Sequence, residues 1–145
     1  AGTLAAIEHL AWIGRTISGS EIGRREALQV AFSAIENYER DMCWRIIEGL
    51  KTNAGIKIWG ITDPARIPER APTVSFTHNS MTAQQIGDAL AERGIFVWVG
   101  NFYALELSEA LGLEPEGVLR VGVLHYNTME EVERFLSELS SILAE

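Results

Sequence analysis

Apolar positions in the first fifty residues recur every three to four places, which is the spacing of amphipathic helices. The pattern predicts a first, mostly apolar helix that ends near Ser18 and a second helix from about Arg24 to Gly49. The segment 18–20, Ser-Gly-Ser, separates the two because glycine and serine interrupt helical patterns. Thr3 is a residue type favoured at helix N-caps, so we expect it to cap the first helix.

After residue 51 the pattern changes, and short runs of alternating or β-branched apolar residues predict strands. The predicted strands are 56–61, 73–77, 95–99 and 118–124. The predicted helices are 82–93, 104–111 and a last one that follows Thr128 and extends to Leu143. Two of these helices begin with a capping box, in which two residues three places apart bond each other's backbone: Thr82 with Gln85, and Thr128 with Glu131.

This order of elements predicts the fold class. Two helices precede a pair of strands, after which helices and strands alternate. We expect an α+β fold, with a small, largely antiparallel sheet covered by helices mostly on one face. We also expect a single domain over residues 1–145, made of a helical lead-in at 1–50 and an α/β sandwich at 51–145. The chain starts without methionine directly before a helix, which indicates a fragment of a longer protein.

One residue does not fit the apolar strand 118–124. Arg120 lies in the middle of this strand, where its charge would come close to the core. Burying an unpaired charge is costly, so the guanidinium needs a partner. That partner is either a carboxylate within the chain or the carboxylate of a ligand, and the sequence leaves both open. Arg120 is therefore the first candidate binding residue.

Composition narrows the possible functions. The net charge of −8 and the pI near 4.9 argue against binding to nucleic acid or to anionic membranes. No apolar run is long enough to span a bilayer. The single cysteine, Cys43, excludes an internal disulfide and is typical of the reducing cytoplasm. No residues have metal-ligand spacing, no glycine-rich phosphate loop follows a strand, and neither Lys51 nor Lys57 has the context of a buried catalytic amine.

A resemblance to a known family adds a functional hypothesis. The stretch 120–128, Arg-Val-Gly-Val-Leu-His-Tyr-Asn-Thr, followed by Glu-Glu-Val-Glu-Arg-Phe, resembles the C-terminal signature of class V aminotransferases. This group of pyridoxal-phosphate enzymes includes cysteine desulfurases and selenocysteine lyases. The resemblance extends to segments 94–98 and 72–76 and to the N-terminal Gly-Thr pair, so it covers nearly the whole chain. Segment 100–104, Gly-Asn-Phe-Tyr-Ala, is most similar to the cysteine desulfurase-like members.

The resemblance implies roles for individual residues. The arginine at the position of Arg120 binds the α-carboxylate of the substrate in these enzymes, and a planar fork on a stiff strand suits that task. Asn101 and Tyr103 would belong to the substrate site, in the loop where true desulfurases carry a nucleophilic cysteine that is absent here. Gly2 and Thr3 would contact the cofactor phosphate in the other subunit of a dimer. The resemblance implies no catalytic residue in this chain, because the lysine that binds the cofactor belongs to the large domain.

Together these features predict the C-terminal small domain of a cytoplasmic, fold-type I pyridoxal-phosphate enzyme similar to cysteine desulfurases. We expect its partners to be an amino-acid substrate, a second subunit and an N-terminal large domain that is missing from this chain. Pyridoxal phosphate would belong to the full-length enzyme, and we expect none to bind this fragment, which alone would be inactive. The alternative is a non-enzymatic α+β module that binds a ligand or dimerises by itself.

Overall fold

The computed structural model describes residues 1–144 of the chain and divides it into two compact units. The first unit is Ala1–Arg40, and the second begins at Asp41. The boundary lies within a long helix, earlier than the predicted division after residue 50. Within residues 1–144, none of the helices combines the length and the hydrophobicity that a transmembrane segment requires.

The bounds of the elements follow the chain from helical to mixed structure. They are α1 (Gly2–Ser18), α2 (Arg24–Lys51), β1 (Ile56–Trp59), a 3-10 helix (Pro64–Glu69), β2 (Thr73–His78), α3 (Ala83–Glu92), β3 (Trp98–Gly100), α4 (Leu105–Ala110), β4 (Val118–Gly122) and α5 (Met129–Ala144).

The first unit contains α1 and the beginning of α2, which approach each other closely at one glycine. Gly14 is buried against Ala27, and a Cβ atom added at Gly14 would overlap the backbone carbonyl of Ala27. At the surface of this contact Arg24 donates a hydrogen bond to Glu8 over 3.2 Å. Helix α1 ends at Gly19, whose left-handed backbone lets its N–H bond the carbonyl of Arg15.

The predicted cap of α1 is wrong. The helix already begins at Gly2, its N-cap position is Ala1, and no side chain caps it. Thr3 therefore lies inside the first turn, where its own N–H is one of the donors without an intrahelical partner. Residue type alone favoured threonine as the cap, but the helical hydrogen bonds begin before it, since the N–H of Ala5 bonds the carbonyl of Ala1.

The second unit is built on a four-stranded, fully antiparallel sheet with the order β1-β2-β4-β3. One row of paired residues crosses the whole sheet and consists of Ile58, Phe76, Leu119 and Val99. Phe76 and Leu119 in this row are completely buried. The predicted α+β class with an antiparallel sheet is confirmed.

Helices cover this face of the sheet with their apolar stripes. The core contains Ile46 and Leu50 of α2, Ile86 and Leu90 of α3, and several residues of α5. The buried residues of α5 are Val132, Phe135, Leu136, Leu139 and Ile142, which recur at helical spacing. Both predicted capping boxes are formed at the starts of α3 and α5. Each cap satisfies backbone donors that the first turn of a helix leaves free.

Strand β3 is shorter and later than predicted. Segment 95–99 was expected to be a strand, but only Trp98–Gly100 pairs with β4. Gly94 has a positive φ of 71°, and the N–H of Ile95 bonds the carbonyl of Leu90 at the end of α3. Ile95 thus closes the preceding helix instead of joining the sheet. Its apolar side chain and that of Val97 still pack against the core.

The contact between α1 and α2 predicts the effect of a methyl group at Gly14. In Gly14→Ala the Cβ atom would overlap the Ala27 backbone, so the helices must move apart at a cost of about 1–3 kcal/mol. We expect hydrogen exchange of the α1 amides to accelerate by roughly tenfold or more, since 1.4 kcal/mol corresponds to a factor of ten.

Gly23→Ala is the matched control, because no atom lies within 4 Å of a Cβ atom at that position. It should leave exchange in α1 nearly unchanged. Equal exchange rates for the two variants would contradict the close contact at Gly14.

Candidate functional site

The candidate site lies on the face of the sheet opposite the core. Trp59, Ser75, Arg120 and Trp98 form a paired row across β1, β2, β4 and β3. This row neighbours the buried row of Leu119, and side chains alternate between the two faces of a strand. Arg120 is therefore directed away from the core. The expectation that its charge would lie close to the core is wrong. It is half-buried on the open face.

The Arg120 guanidinium contacts an aromatic ring. No carboxylate of the described residues contacts it. Its Cζ atom lies 3.7 Å from the centroid of the Phe102 ring, a cation–π contact. The ion pairs found within residues 1–144 join other arginines to glutamates, and none includes Arg120. The sequence allowed two partners for Arg120, a carboxylate of the chain or one of a ligand. In the described structure no carboxylate of the chain is paired with it. The positive charge remains available to a ligand.

The loop after β3 holds Phe102 in this position. Phe102 and Tyr103 have positive φ angles of 56° and 63°, a backbone conformation that costs non-glycine residues of order 1–3 kcal/mol each. Asn101 stabilises the loop from both sides. Its side-chain oxygen Oδ1 accepts a hydrogen bond from the N–H of Tyr103 over 3.2 Å, and its side-chain Nδ2 donates one to Glu114 over 3.1 Å. The side chain of Asn101 therefore fixes the turn that carries the ring over Arg120.

The base of this loop is also closed at the backbone. Gly117 has a φ of 67°, and a Cβ atom there would collide with the backbone of Gly100. The chain thus enters β4 in direct contact with the end of β3. Only glycine combines this positive φ with such a close approach.

Arg120 faces a groove of about 600 Å³ between the sheet and α4. Its apolar lining comprises Trp59, Phe102, Leu107, Leu111, Leu113 and Val118. Ser75, Ser108 and Asn101 contribute polar groups, and Arg120 is the only charged residue among the described residues that line it. A mostly apolar cavity with a single fixed charge is typical of sites for small organic ligands.

The predicted site residues are only partly assembled. Arg120 and Asn101 line the same groove, whereas Tyr103 is not part of the lining and its side chain is fully exposed. Gly2 and Thr3 belong to the first unit, at the start of α1. The first helical bond there is made by the N–H of Ala5, so the N–H groups before it are free to donate. Together with the Thr3 hydroxyl, they have the donor chemistry that a phosphate requires.

Neither lysine has the environment of a catalytic amine. Lys51 donates to the carbonyl of Thr62 over 2.8 Å, and the ammonium group of Lys57 lies 3.7 Å from the centroid of the Trp59 ring. Both lysines are exposed. No group of side chains in the described structure could hold a metal ion.

Sequence reasoning missed Phe102, Ser75 and Trp59 as parts of the site. In the sequence, Phe102 stands out only as a member of the loop 100–104, which resembles a family segment. Ser75 and Trp59 could have been found from strand alternation, since both occupy polar-face positions, but only if the register with Arg120 had been known.

Comparison with known proteins decides the family. The model of the aminotransferase class-V family matches residues 20–135, which is most of the chain. The chain belongs to the aminotransferase class-V family. The resemblance that the sequence suggested is thereby confirmed.

Relatives in this family include proteins named as aminotransferases and as desulfurases. The chain is 36% identical to the aminotransferase-like protein FGM3 of Gibberella zeae, over 77% of this chain and 28% of that protein. It is 32% identical to the probable cysteine desulfurase 2 of Mycobacterium leprae, over 74% of this chain and 25% of that protein. The apo structure of the cysteine desulfurase from Thermococcus onnurineus matches with a TM-score of 0.72 and 26% identity, covering 83% of this chain and 29% of that one. This class-V chain thus spans 25% to 29% of the length of these three relatives.

Cys43 lies apart from the groove. It is 1% exposed, and its Sγ atom is 4.0 Å from the carbonyl oxygen of Ala71. Burial raises the pKa of the thiol above its ordinary value of 9.0, and the nearby charge of Arg70 offsets only part of this effect. A buried thiol that resists ionisation is a poor nucleophile.

The raised pKa of Cys43 predicts a pH dependence of stability. The unfolded thiol loses its proton near pH 9.0, whereas the folded thiol keeps it to a higher pH. Its contribution is fully present below pH 9 and is lost as the pH rises toward the folded pKa. We expect the free energy of unfolding to fall more steeply above pH 9 in the wild type than in Cys43→Ala. Urea denaturation at a series of pH values measures both slopes, and parallel slopes would contradict the prediction.

Proposed function

We propose that this chain is the C-terminal, substrate-binding part of a pyridoxal-phosphate enzyme similar to cysteine desulfurases. Arg120 binds the carboxylate of an amino-acid substrate. The observation that carries the proposal is a half-buried guanidinium that faces a groove without a carboxylate partner among residues 1–144. Membership of the class-V family and the relatives named as cysteine desulfurases support it.

The contacts of Arg120 suit it to bind a carboxylate. Phe102 covers the flat face of the guanidinium, so the N–H groups at its edge remain to donate. Two parallel N–H donors match the two oxygens of a carboxylate, which fixes the orientation of the ligand as well as its position. A guanidinium offers five N–H donors in a fixed fork and no acceptor, so the role of Arg120 is to orient the substrate.

The cofactor part of the proposal concerns Gly2 and Thr3. Pyridoxal phosphate, when bound, supplies an electron sink for chemistry at the α-carbon of an amino acid. The backbone N–H groups at the start of α1 and the Thr3 hydroxyl would hold its phosphate. The lysine that binds the cofactor would come from outside this chain, since Lys51 and Lys57 are exposed and otherwise engaged.

Further partners follow from the same proposal. We infer a large N-terminal domain, because the chain spans only 25% to 29% of the three relatives described above. We also infer a cytoplasmic homodimer. The first unit exposes large apolar side chains, with Leu4 at 56%, Trp12 at 59% and Phe32 at 49%. Apolar surface of this kind is commonly covered by another protein surface. Cysteine desulfurases, selenocysteine lyases and aminotransferases all act on amino acids that carry an α-carboxylate, so the role of Arg120 is the same for each of these reactions.

A second candidate function is a stand-alone binding module. The observation that favours it is that Arg120, Phe102 and all groove residues belong to the second unit. A carboxylate could therefore bind without any contribution from another domain. The two candidates share the role of Arg120 and differ in the need for pyridoxal phosphate.

Removal of the guanidinium tests the shared role. In Arg120→Met the apolar stem is retained and the fork is lost, so we expect the dissociation constant for L-leucine to rise by about tenfold to a hundredfold. Titration followed by the NMR signals of backbone amides measures it. Arg120→Lys should bind with intermediate affinity, because it keeps the charge without the bidentate geometry.

Arg66→Met is the matched control. Arg66 is exposed, pairs with Glu69 over 2.7 Å and does not line the groove. Its loss should leave the affinity for L-leucine unchanged. Equal affinities of the wild type and Arg120→Met, or no response of the groove amides in the wild type, would overturn the role of Arg120.

The exposed apolar residues of the first unit predict self-association. We expect sedimentation equilibrium to give twice the chain mass of 16.0 kDa at high protein concentration. Trp12→Asp should shift the equilibrium to the monomer, because it places a charge on the apolar surface. Ser140→Asp, at an exposed position of α5 in the second unit, controls for the added charge. A wild-type protein that stays monomeric throughout would contradict the dimer.

A further inference from the structure

The walls of the groove have a chemistry that Arg120 alone does not explain. Helix α4 contributes Leu107, and the turn that follows contributes Leu111. These side chains are 60% and 43% exposed, so they are accessible to a ligand. Trp59 at the end of β1 and Val118 at the start of β4 line the same groove. The apolar surface is thus contributed by three separate parts of the second unit.

Few polar groups are left to recognise a polar ligand side chain. Asn101 is already engaged with Glu114 and with the N–H of Tyr103. The hydroxyls of Ser75 and Ser108 remain, and no other lining residue within 1–144 is charged besides Arg120. Cys43, the only cysteine of the chain, is not among the lining residues. A ligand therefore finds the charge of Arg120 beside a mostly apolar lining, in which the Trp59 ring also contacts the Lys57 ammonium group.

This arrangement matches a carboxylate that carries an apolar body. We propose that the groove selects amino acids with large aliphatic or aromatic side chains, and that Leu107 and Leu111 determine this specificity. The inference rests on the proposed function, in which Arg120 binds the substrate carboxylate. It goes further by naming the substrate class, which differs from the small polar side chain of cysteine.

The size of the groove supports a large side chain. A volume of about 600 Å³ is well within the roughly 300–1,000 Å³ of cavities that enclose whole small-molecule ligands. Within this chain, a small side chain bound at Arg120 would leave most of the surface of Leu107 and Leu111 without an apolar contact. A leucine or phenylalanine side chain would cover it, and burial of apolar area of that size raises affinity by about tenfold or more.

Charge complementarity favours a small carboxylate over a protein surface as the occupant. The groove has one cation and no described anion in its lining. The experiment below separates these occupants.

Titration with a series of amino acids tests the specificity. The probes are L-alanine, L-cysteine, L-leucine and L-phenylalanine, added to the 145-residue chain and followed by the backbone amide signals of the groove. We expect L-leucine and L-phenylalanine to bind about tenfold more tightly than L-alanine and L-cysteine. All four should shift the signals around Arg120, because all four carry the same carboxylate.

Two leucines of α4 provide a matched pair of variants. Leu107 lines the groove, whereas Leu105 is on the same helix, is 46% exposed and does not line it. Leu107→Ser should lower the preference for L-leucine over L-alanine by at least about threefold, because it removes part of the apolar wall. The affinity for L-alanine itself should stay the same. Leu105→Ser should change neither value.

The outcomes distinguish this inference from the proposed function. If all four amino acids bind equally and Arg120→Met abolishes binding, the role of Arg120 stands and the apolar specificity is overturned. If L-leucine is preferred but Arg120→Met has no effect, the role of Arg120 fails. If the groove signals respond only to protein concentration and to none of the four amino acids, a second copy fills the groove and the specificity is overturned.

Discussion

The alternation of side chains along β4 is the constraint on which the site depends. Leu119 points into the core and is completely buried, so its neighbour Arg120 must point to the other face. The pairing with Phe76 on one side and Val99 on the other fixes the register, because a shift by one residue would bury the guanidinium. The energy of the apolar core thus holds a charged group at a defined position on the open face. The helices contribute indirectly, since they bury the row that sets this register.

The loop between β3 and β4 completes the site at a local cost. Two successive residues, Phe102 and Tyr103, have positive φ angles, which are unfavourable for residues other than glycine. Asn101 and the contact between Gly100 and Gly117 hold the loop in that form. In this form the loop places the Phe102 ring over Arg120. The ring covers a face of the guanidinium that water would otherwise hydrate. The strain and the uncompensated charge therefore occur at the same place, as is common in binding sites.

Much of the fold could be predicted from the sequence, and the reasons are local. The capping boxes at Thr82 and Thr128 and the helical spacing in α5 each involve residues a few positions apart. The face of Arg120 could not be predicted, because in an apolar run such as 118–124 both faces of the strand look buried. The prediction of a strand over segment 95–99 was wrong for a related reason. Its apolar residues do pack on the core, but the N–H of Ile95 bonds the carbonyl of Leu90, so the segment begins as the end of helix α3. Phe102 was out of reach because its contact with Arg120 depends on two unusual backbone angles.

The segment 101–114, which joins β3 to the turn before β4, has a consequence for how the binding specificity of this fold can change. The hydrogen bond between Asn101 and Glu114 and the contact of Gly100 with Gly117 hold the two ends of this segment together beside the sheet. Helix α4 and its neighbouring turn, which carry Leu107 and Leu111, lie beyond that closure. Substitutions in the wall can therefore accumulate without disturbing the pairing of β4 with β2. The fold separates a fixed anchor for a common chemical group from a replaceable wall for the variable part of a ligand. Descendants of one sequence could in this way exchange substrates while they keep the same anchor.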